Sequence, residues 1–512
     1  MLTRREFLAC GGSVALAATT GCVASPPLPK SGFIDFGDPD HPYLGLATSL
    51  MQEYDYDAAV EGAVPPGLRG VLYRNGPGLF DRGGLRKRSL LDGDGLVQRV
   101  HFHDNGVRFR CRFVRTPKFQ EEEAAGSFLF PTWSTLAPGG IWNNFWGPGR
   151  IRSQAGVTVF PWRGRLYAFD ESSLPFSLDP ITLETIGESR LGVPPEMPLI
   201  FAAHPKFDPR TGEWLHFGIQ YGRQVSLHLT CFAGDGTLVR HRIIELPRYV
   251  YIHDWFVASR HVLLSLHPLE VAVWGPLLGI RSILDSLRWR PEQGNLLMVL
   301  PRDFNGEPLL LTTEASFMWH GVNSYEHGGE LLADFVGYAN PDHLVGPAAV
   351  AQTVMTGRKG VFRTPGRLWR YRIDLLQRRV ERELLAAGNF EWPRIDERQR
   401  CRAHRFVYLC AANPAEFFWS AVERHDLQTG QHGRYDFGAG YYCTEPVFVP
   451  RSVSAGEESG WVLTEVYDSR TRKSFLAVLN GERLEDGPLA RVMLRHHVPF
   501  SYHGWWQADG EA

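Results

Sequence analysis

The 512-residue chain lacks the marks of several common function classes. Its charge is nearly balanced, with 54 Lys and Arg against 56 Asp and Glu. No basic stripe is interleaved with aromatics, so a nucleic-acid surface is not expected. Cysteines are few: Cys10, Cys22, Cys111, Cys231, Cys401, Cys410 and Cys443. None forms a Cys-x-x-Cys pair, and their scatter gives neither a structural zinc site nor a disulfide framework. Past the N-terminus no apolar run is long enough to cross a bilayer as a helix. There is no Gly-x-Ser-x-Gly elbow and no P-loop. Asp92-Gly93-Asp94-Gly95 lacks the longer spacing of a calcium loop and reads as a turn between strands. WD-type and kelch-type repeats are absent.

The first residues read as an address. Thr3-Arg4-Arg5-Glu6-Phe7-Leu8 has the paired arginines of a twin-arginine export signal, followed by the small-residue apolar run Cys10 to Ala18. Residues 1–30 are therefore read as signal and linker, with Pro26-Pro27-Leu28-Pro29 leading into one domain over 31–512. The expected location is periplasmic or membrane-associated. Thr20-Gly21-Cys22 is a weaker match to a lipoprotein site and offers Cys22 as a lipid anchor.

The body is rich in Gly, Pro and aromatics and reads as all-β. Short apolar runs such as Gly70-Val71-Leu72-Tyr73-Arg74 and Val262-Leu263-Leu264-Ser265-Leu266 alternate with turn residues. Val107, Phe109, Cys111 and Phe113 alternate with Arg108, Arg110 and Arg112, the pattern of a strand with one charged face. Arg86-Lys87-Arg88 reads as a solvated loop face. Residues 267–290 are dense in large apolar side chains and basic at the end, as in a core excursion or a patch that meets a membrane surface.

Four histidines share one context, among aromatic or small apolar residues and away from charge runs. They are His204, His253, His320 and His503. Residues so far apart can converge only if separate strands carry them to a common axis, as in a β-propeller. Neutral imidazoles suit divalent iron, copper or zinc. A ligand imidazole needs its second nitrogen held, and Glu171, Glu391 and Glu445 are acids in apolar runs that could do so. With 19 histidines in the chain, spacing alone does not single out this quartet. His101 and His103, alternate residues on a strand, are a weaker metal pair.

The motifs decide further. Tyr73-Arg74-Asn75-Gly76-Pro77, Leu91-Asp92-Gly93-Asp94-Gly95-Leu96-Val97, Ala203-His204-Pro205-Lys206 and His253-Asp254 run in order. Trp319-His320-Gly321-Val322-Asn323-Ser324-Tyr325-Glu326, Phe390-Glu391-Trp392-Pro393-Arg394, Glu445-Pro446-Val447-Phe448 and Tyr502-His503-Gly504 follow. Together they resemble the carotenoid cleavage oxygenases over nearly all of the chain past the leader. The resemblance implies a seven-bladed propeller capped by helices and loops. It implies Fe(II) held by His204, His253, His320 and His503, supported by Glu171, Glu391 and Glu445. It also implies oxidative cleavage by O2 of a conjugated C=C bond in a carotenoid or apocarotenoid. The stilbene-cleaving branch is also similar, but it tends to carry a lysine where this chain has Arg150 and Arg152. Val157 and the pair Leu90-Leu91 also depart from the usual family residues. A metal-stabilised propeller that only binds a ligand is the non-enzymatic alternative.

Overall fold

Short β-rich runs bounded by Gly and Pro fold here mainly as antiparallel meanders, most strands pairing with the next in sequence. The computed structural model describes residues 24–31, 41–145, 151–222, 224–346, 348–358, 360 and 362–510. The twin-arginine segment, Cys10, Cys22 and Arg150 lie outside the described residues.

Five four-stranded blades follow one another along the chain. They begin at Thr158–Trp162, Lys206–Asp208, Phe256–Val257, Phe317–His327 and Phe390–Arg394. Apart from two small two-stranded hairpins, the remaining strands form one continuous 11-stranded sheet from both ends of the chain. The expectation of seven separate blades is therefore corrected. Strand Tyr54–Gly62 pairs with Gly106–Phe113 through residues 54–58 and with Pro488–Met493 through residues 59–62, which welds that region into a single sheet. Local periodicity cannot report such a weld, because it depends on pairing over several hundred residues.

The circle closes where the last strand, His503–Ala508, pairs with Gly70–Asn75, placing Asn75 opposite His503. Arg74, fully buried, pins this seam. Its guanidinium donates to Ser501 Oγ at 2.9 Å, the Glu445 carbonyl at 3.0 Å, Thr444 Oγ1 at 2.8 Å and the Tyr502 carbonyl at 3.1 Å. A buried cation costs several kcal/mol unless its donors are met, and here they are.

The alternation read over 107–113 holds, with the valine, phenylalanines and cysteine buried and the arginines half-exposed. The reading of Arg86-Lys87-Arg88 as a solvated face does not hold, since all three are buried. Arg86 pairs with Asp81 at 2.7 Å, Arg88 with Asp285 at 2.6 Å, and the Lys87 ammonium lies 4.2 Å from the Phe128 ring centroid. Charge runs are solvated by default, and tertiary partners override that default here. Residues 267–290 form a small hairpin, Leu269–Val271 with Leu287–Trp289, around a one-turn helix Trp274–Leu277. Among the described residues no helix is long and apolar enough to cross a membrane.

Beside the seam, burial pushes the Glu465 carboxyl up from 4.5 to about 7, against the opposing pull of Arg74 and Gln98. An acid whose folded pKa exceeds its unfolded value stabilises the fold below the unfolded value and loses that contribution as pH rises through the folded one. The gap corresponds to about 3 kcal/mol. Glu465→Gln is therefore expected to gain in melting temperature over the wild type between pH 5 and pH 8. Parallel curves across that range would show that Glu465 does not titrate there.

Candidate metal centre

Four imidazoles meet near the propeller axis. His204 and His253 sit in the turns just ahead of the strands Lys206–Asp208 and Phe256–Val257. His320 lies within Phe317–His327, and His503 opens the last strand. Their candidate ligand nitrogens all lie within 4.8 Å of one another, and all four residues are buried. Nitrogens about 2.1 Å from a shared ion can be at most about 4.2 Å apart. Contraction by tenths of an ångström would therefore close the cluster on one ion. His204 Nε2 and His253 Nε2 are 2.9 Å apart, close to the roughly 3 Å expected of adjacent ligands at right angles.

Local irregularities aim these groups inward. The pairing register slips on both sides of Gly321, so the strand bulges at His320 and turns that side chain to the axis. Gly321 is required beside it, because a Cβ there would meet the Phe256 ring at 2.6 Å. Strand Phe390–Arg394 slips between Glu391 and Arg394, and Trp392 takes φ +59°. That left-handed conformation costs on the order of 1–3 kcal/mol for a side chain of this size. It lets Glu391 and Trp392 both face the centre, and the Trp392 backbone N–H donates to Glu391 Oε2 at 2.5 Å.

Each glutamate singled out from the sequence holds one imidazole. Glu171 Oε1 lies 2.7 Å from His253 Nδ1, Glu391 Oε2 2.6 Å from His320 Nδ1, and Glu445 Oε1 2.9 Å from His503 Nδ1. A carboxylate at Nδ1 keeps the proton there and leaves Nε2 with its lone pair free. His320 Nε2 is buried without any hydrogen-bond partner, as a nitrogen reserved for an ion would be. Burial, reinforced by the neighbouring imidazoles, drives the His204 pKa well below its ordinary value, and burial lowers His503 to about 4. Burial also opposes charge on His320, but Glu391, Asp254 and Glu445 together outweigh it and the net shift is upward. A cation among the rings would take the place of that proton. The donor set therefore fits a divalent transition metal.

Sequence reasoning missed the residues that hold the glutamates. The Tyr251 hydroxyl lies 3.1 Å from His253 Nδ1 and beside Glu171, and Tyr338 lies beside Glu391 and donates to the Phe390 carbonyl at 3.4 Å. Arg394 approaches Glu445 at 3.4 Å, and the Gly504 N–H donates to it at 2.7 Å. Burial pushes the Glu445 pKa upward, but Arg394, His503 and Arg74 hold it at about 2. Asp254 accepts from the Gly321 N–H at 2.9 Å and from Lys206 at 2.6 Å, tying the His253 and His320 segments together. Only the motif spacings carried a signal for Lys206, Asp254 and Arg394. His101 and His103 lie against each other at 5.1 Å and, among the described residues, join no metal-ligating group.

A cavity of about 330 Å³ opens onto His253, His320 and His503. Its walls are mainly aromatic and aliphatic, including Trp133, Tyr251, Trp319, Phe417, Trp419 and Phe500. Among the described residues no lysine lines it, and Leu90, Leu91, Val157 and Arg152 do.

Residues 47–508 match the family described as Retinal pigment epithelial membrane protein, RPE65. The chain belongs to this family. It is 29% identical to apocarotenoid-15,15'-oxygenase of Synechocystis, over 94% of this chain and 99% of that protein. It is 28% identical to isoeugenol monooxygenase of Pseudomonas putida, over 88% and 95%. It is 26% identical to lignostilbene-alpha,beta-dioxygenase isozyme III of Sphingomonas paucimobilis, over 90% and 96%. The crystal structure of cobalt-substituted Synechocystis ACO superposes with a TM-score of 0.85 at 29% identity, covering 91% of this chain and 99% of that one.

His320→Ala is expected to lose bound metal altogether. Glu391→Gln should weaken metal affinity about 10–100-fold while far-UV circular dichroism stays unchanged. Elemental analysis after dialysis checks both, and wild-type metal content in His320→Ala would remove that residue from the ligand set.

Proposed function

We propose that the protein is a non-haem Fe(II) dioxygenase that cleaves a conjugated C=C bond of a carotenoid or apocarotenoid with O2, giving two carbonyl products. The observation that carries this reading is the four-imidazole cluster at the wall of an aromatic cavity. Neutral ligands leave the ion its full charge, and family membership supports iron as the ion and oxygen insertion as the chemistry. When bound, Fe(II) supplies the binding and activation of O2.

The chain's own part is placement and protection. His204, His253, His320 and His503 would hold the ion. Glu171, Glu391 and Glu445 keep three of those rings in the ligating tautomer. The apolar wall excludes water from the reacting bond and gives a polyene an aromatic and aliphatic surface to lie against, so the bond cleaved is set by position. No side chain need act as general acid or base, because both oxygen atoms end in the two carbonyls. A stilbene or phenylpropene remains the second reading, supported by the isoeugenol and lignostilbene relatives. Among the described residues the cavity wall carries no lysine, which favours the polyene over a phenolate that an ammonium would meet.

Export by the twin-arginine route, one catalytic domain from residue 31 and contact with a membrane surface complete the proposal; no nucleic-acid partner is included. Trp142 is 83% exposed and Trp274 67%, each on a one-turn helix. Gly279 packs against the Asn144–Phe145 backbone and brings the two helices together. The Ser25 N–H donates to the Ile280 carbonyl at 3.0 Å, so the chain enters the body beside these tips. Exposed indoles on one face suit an interface where a lipid-soluble substrate partitions.

Two experiments test this reading. Purified Fe(II)-loaded protein is offered carotenoids, apocarotenals, stilbenes and isoeugenol, and products are read by mass spectrometry with O2 uptake. Polyene-derived aldehydes are expected, and tight iron with no O2 consumption would favour a binding propeller. Separately, Trp142→Ser with Trp274→Ser should lower vesicle co-sedimentation several-fold without changing iron content. Unchanged sedimentation would place the membrane contact elsewhere.

A further inference from the structure

Three of the four indoles at the cavity differ in how they are held. Trp392 and Trp419 have buried N–H groups without an acceptor. Trp319 instead donates from Nε1 to His343 Nε2 at 2.6 Å. The Trp319 ring stands edge-on to the His253 ring, with centroids 4.9 Å apart at 89°, and it lines the cavity. It is thus the aromatic wall that touches a metal-site imidazole and is also pinned through its nitrogen.

His343 is itself fixed. It is 1% exposed and packed among Phe317, Tyr338, Phe362 and Phe417. Accepting at Nε2 places its proton on Nδ1, which faces Asp342 Oδ1 at 3.9 Å. The other Asp342 oxygen accepts from the Arg363 N–H and the Thr364 hydroxyl, each at 3.1 Å. An imidazole and an indole therefore form one hydrogen-bonded line that ends at the metal site, with Asp342 behind it beyond hydrogen-bond distance. Nothing in the cavity's hydrophobicity requires that line, since a leucine or phenylalanine at 343 would fill the same aromatic surroundings.

We propose that His343 is a positioning residue that fixes the Trp319 indole against His253 and so sets which double bond of the substrate lies at the metal. The inference rests on the polyene-cleaving reading above. Without the acceptor the indole can turn about its side-chain torsions, the wall beside the metal widens, and a polyene can shift along its conjugation. Each cleavage still consumes one O2 and one C=C bond and yields two carbonyls, so a shift shows only in the lengths of the two fragments.

The test compares wild type, His343→Leu, His343→Gln and Trp319→Phe as Fe(II)-loaded proteins on one apocarotenal. Wild type should give one fragment pair. His343→Leu and Trp319→Phe should each give a second pair amounting to at least a tenth of product, with a several-fold higher KM. His343→Gln keeps an acceptor for the indole N–H and should restore the single pair. A second readout is independent of turnover: anaerobic quenching of tryptophan fluorescence by the same apocarotenal should show weaker binding in His343→Leu and near wild-type binding in His343→Gln. If His343→Leu does not fold, Trp319→Phe and His343→Gln decide the matter by the same criteria. Wild-type fragment ratios in His343→Leu and Trp319→Phe, or failure of glutamine to rescue, overturn the inference alone. Absence of any cleavage by wild type would instead overturn the functional reading and this inference with it.

Discussion

The structure depends on the pairing of buried carboxylates with buried imidazoles. Glu171, Glu391 and Glu445 would be costly in a protein interior if left unpaired. Each is matched by a ring that becomes a good donor because of the pairing. The other end of each ring then points to a shared centre whose natural occupant is a cation. Acids, imidazoles and metal thus form one electrostatic unit, and removing any layer leaves the next exposed to the desolvation cost.

That unit imposes demands on the fold. His503 belongs to the last strand and pairs opposite Asn75, while the supporting Glu445 is tied through its carbonyl to Arg74. Ring closure and site assembly are therefore one event, joined at a single buried guanidinium. The bulges at His320 and around Trp392 show the same priority. Regular pairing is given up where a side chain must be turned to the axis, and backbone strain at Trp392 is tolerated next to the glutamate it serves.

Around the charged unit the protein is apolar and aromatic, and its few polar contacts are specific. Tyr251 and Tyr338 reach the glutamates from the cavity side, and His343 reaches Trp319. Each offers one hydrogen bond and a large ring, so the same residues shape the cavity and brace the centre. Positioning of this kind suits a reaction in which the protein moves no proton and selectivity lies in where a long substrate stops.

The all-β pattern, the alternating strand at 107–113 and the histidine and glutamate motifs were legible because each is a short-range property of the chain: periodicity, turn residues, or residue types at fixed offsets. The sequence by itself determined those strands and their punctuation, since side-chain alternation and Gly and Pro geometry act over a few residues. Only the tertiary structure decided that five discrete blades stand beside one continuous sheet, that Arg86, Lys87 and Arg88 are buried, and that His343 meets Trp319. Those outcomes depend on contacts between segments tens to hundreds of residues apart, where burial and partner geometry outweigh any local preference.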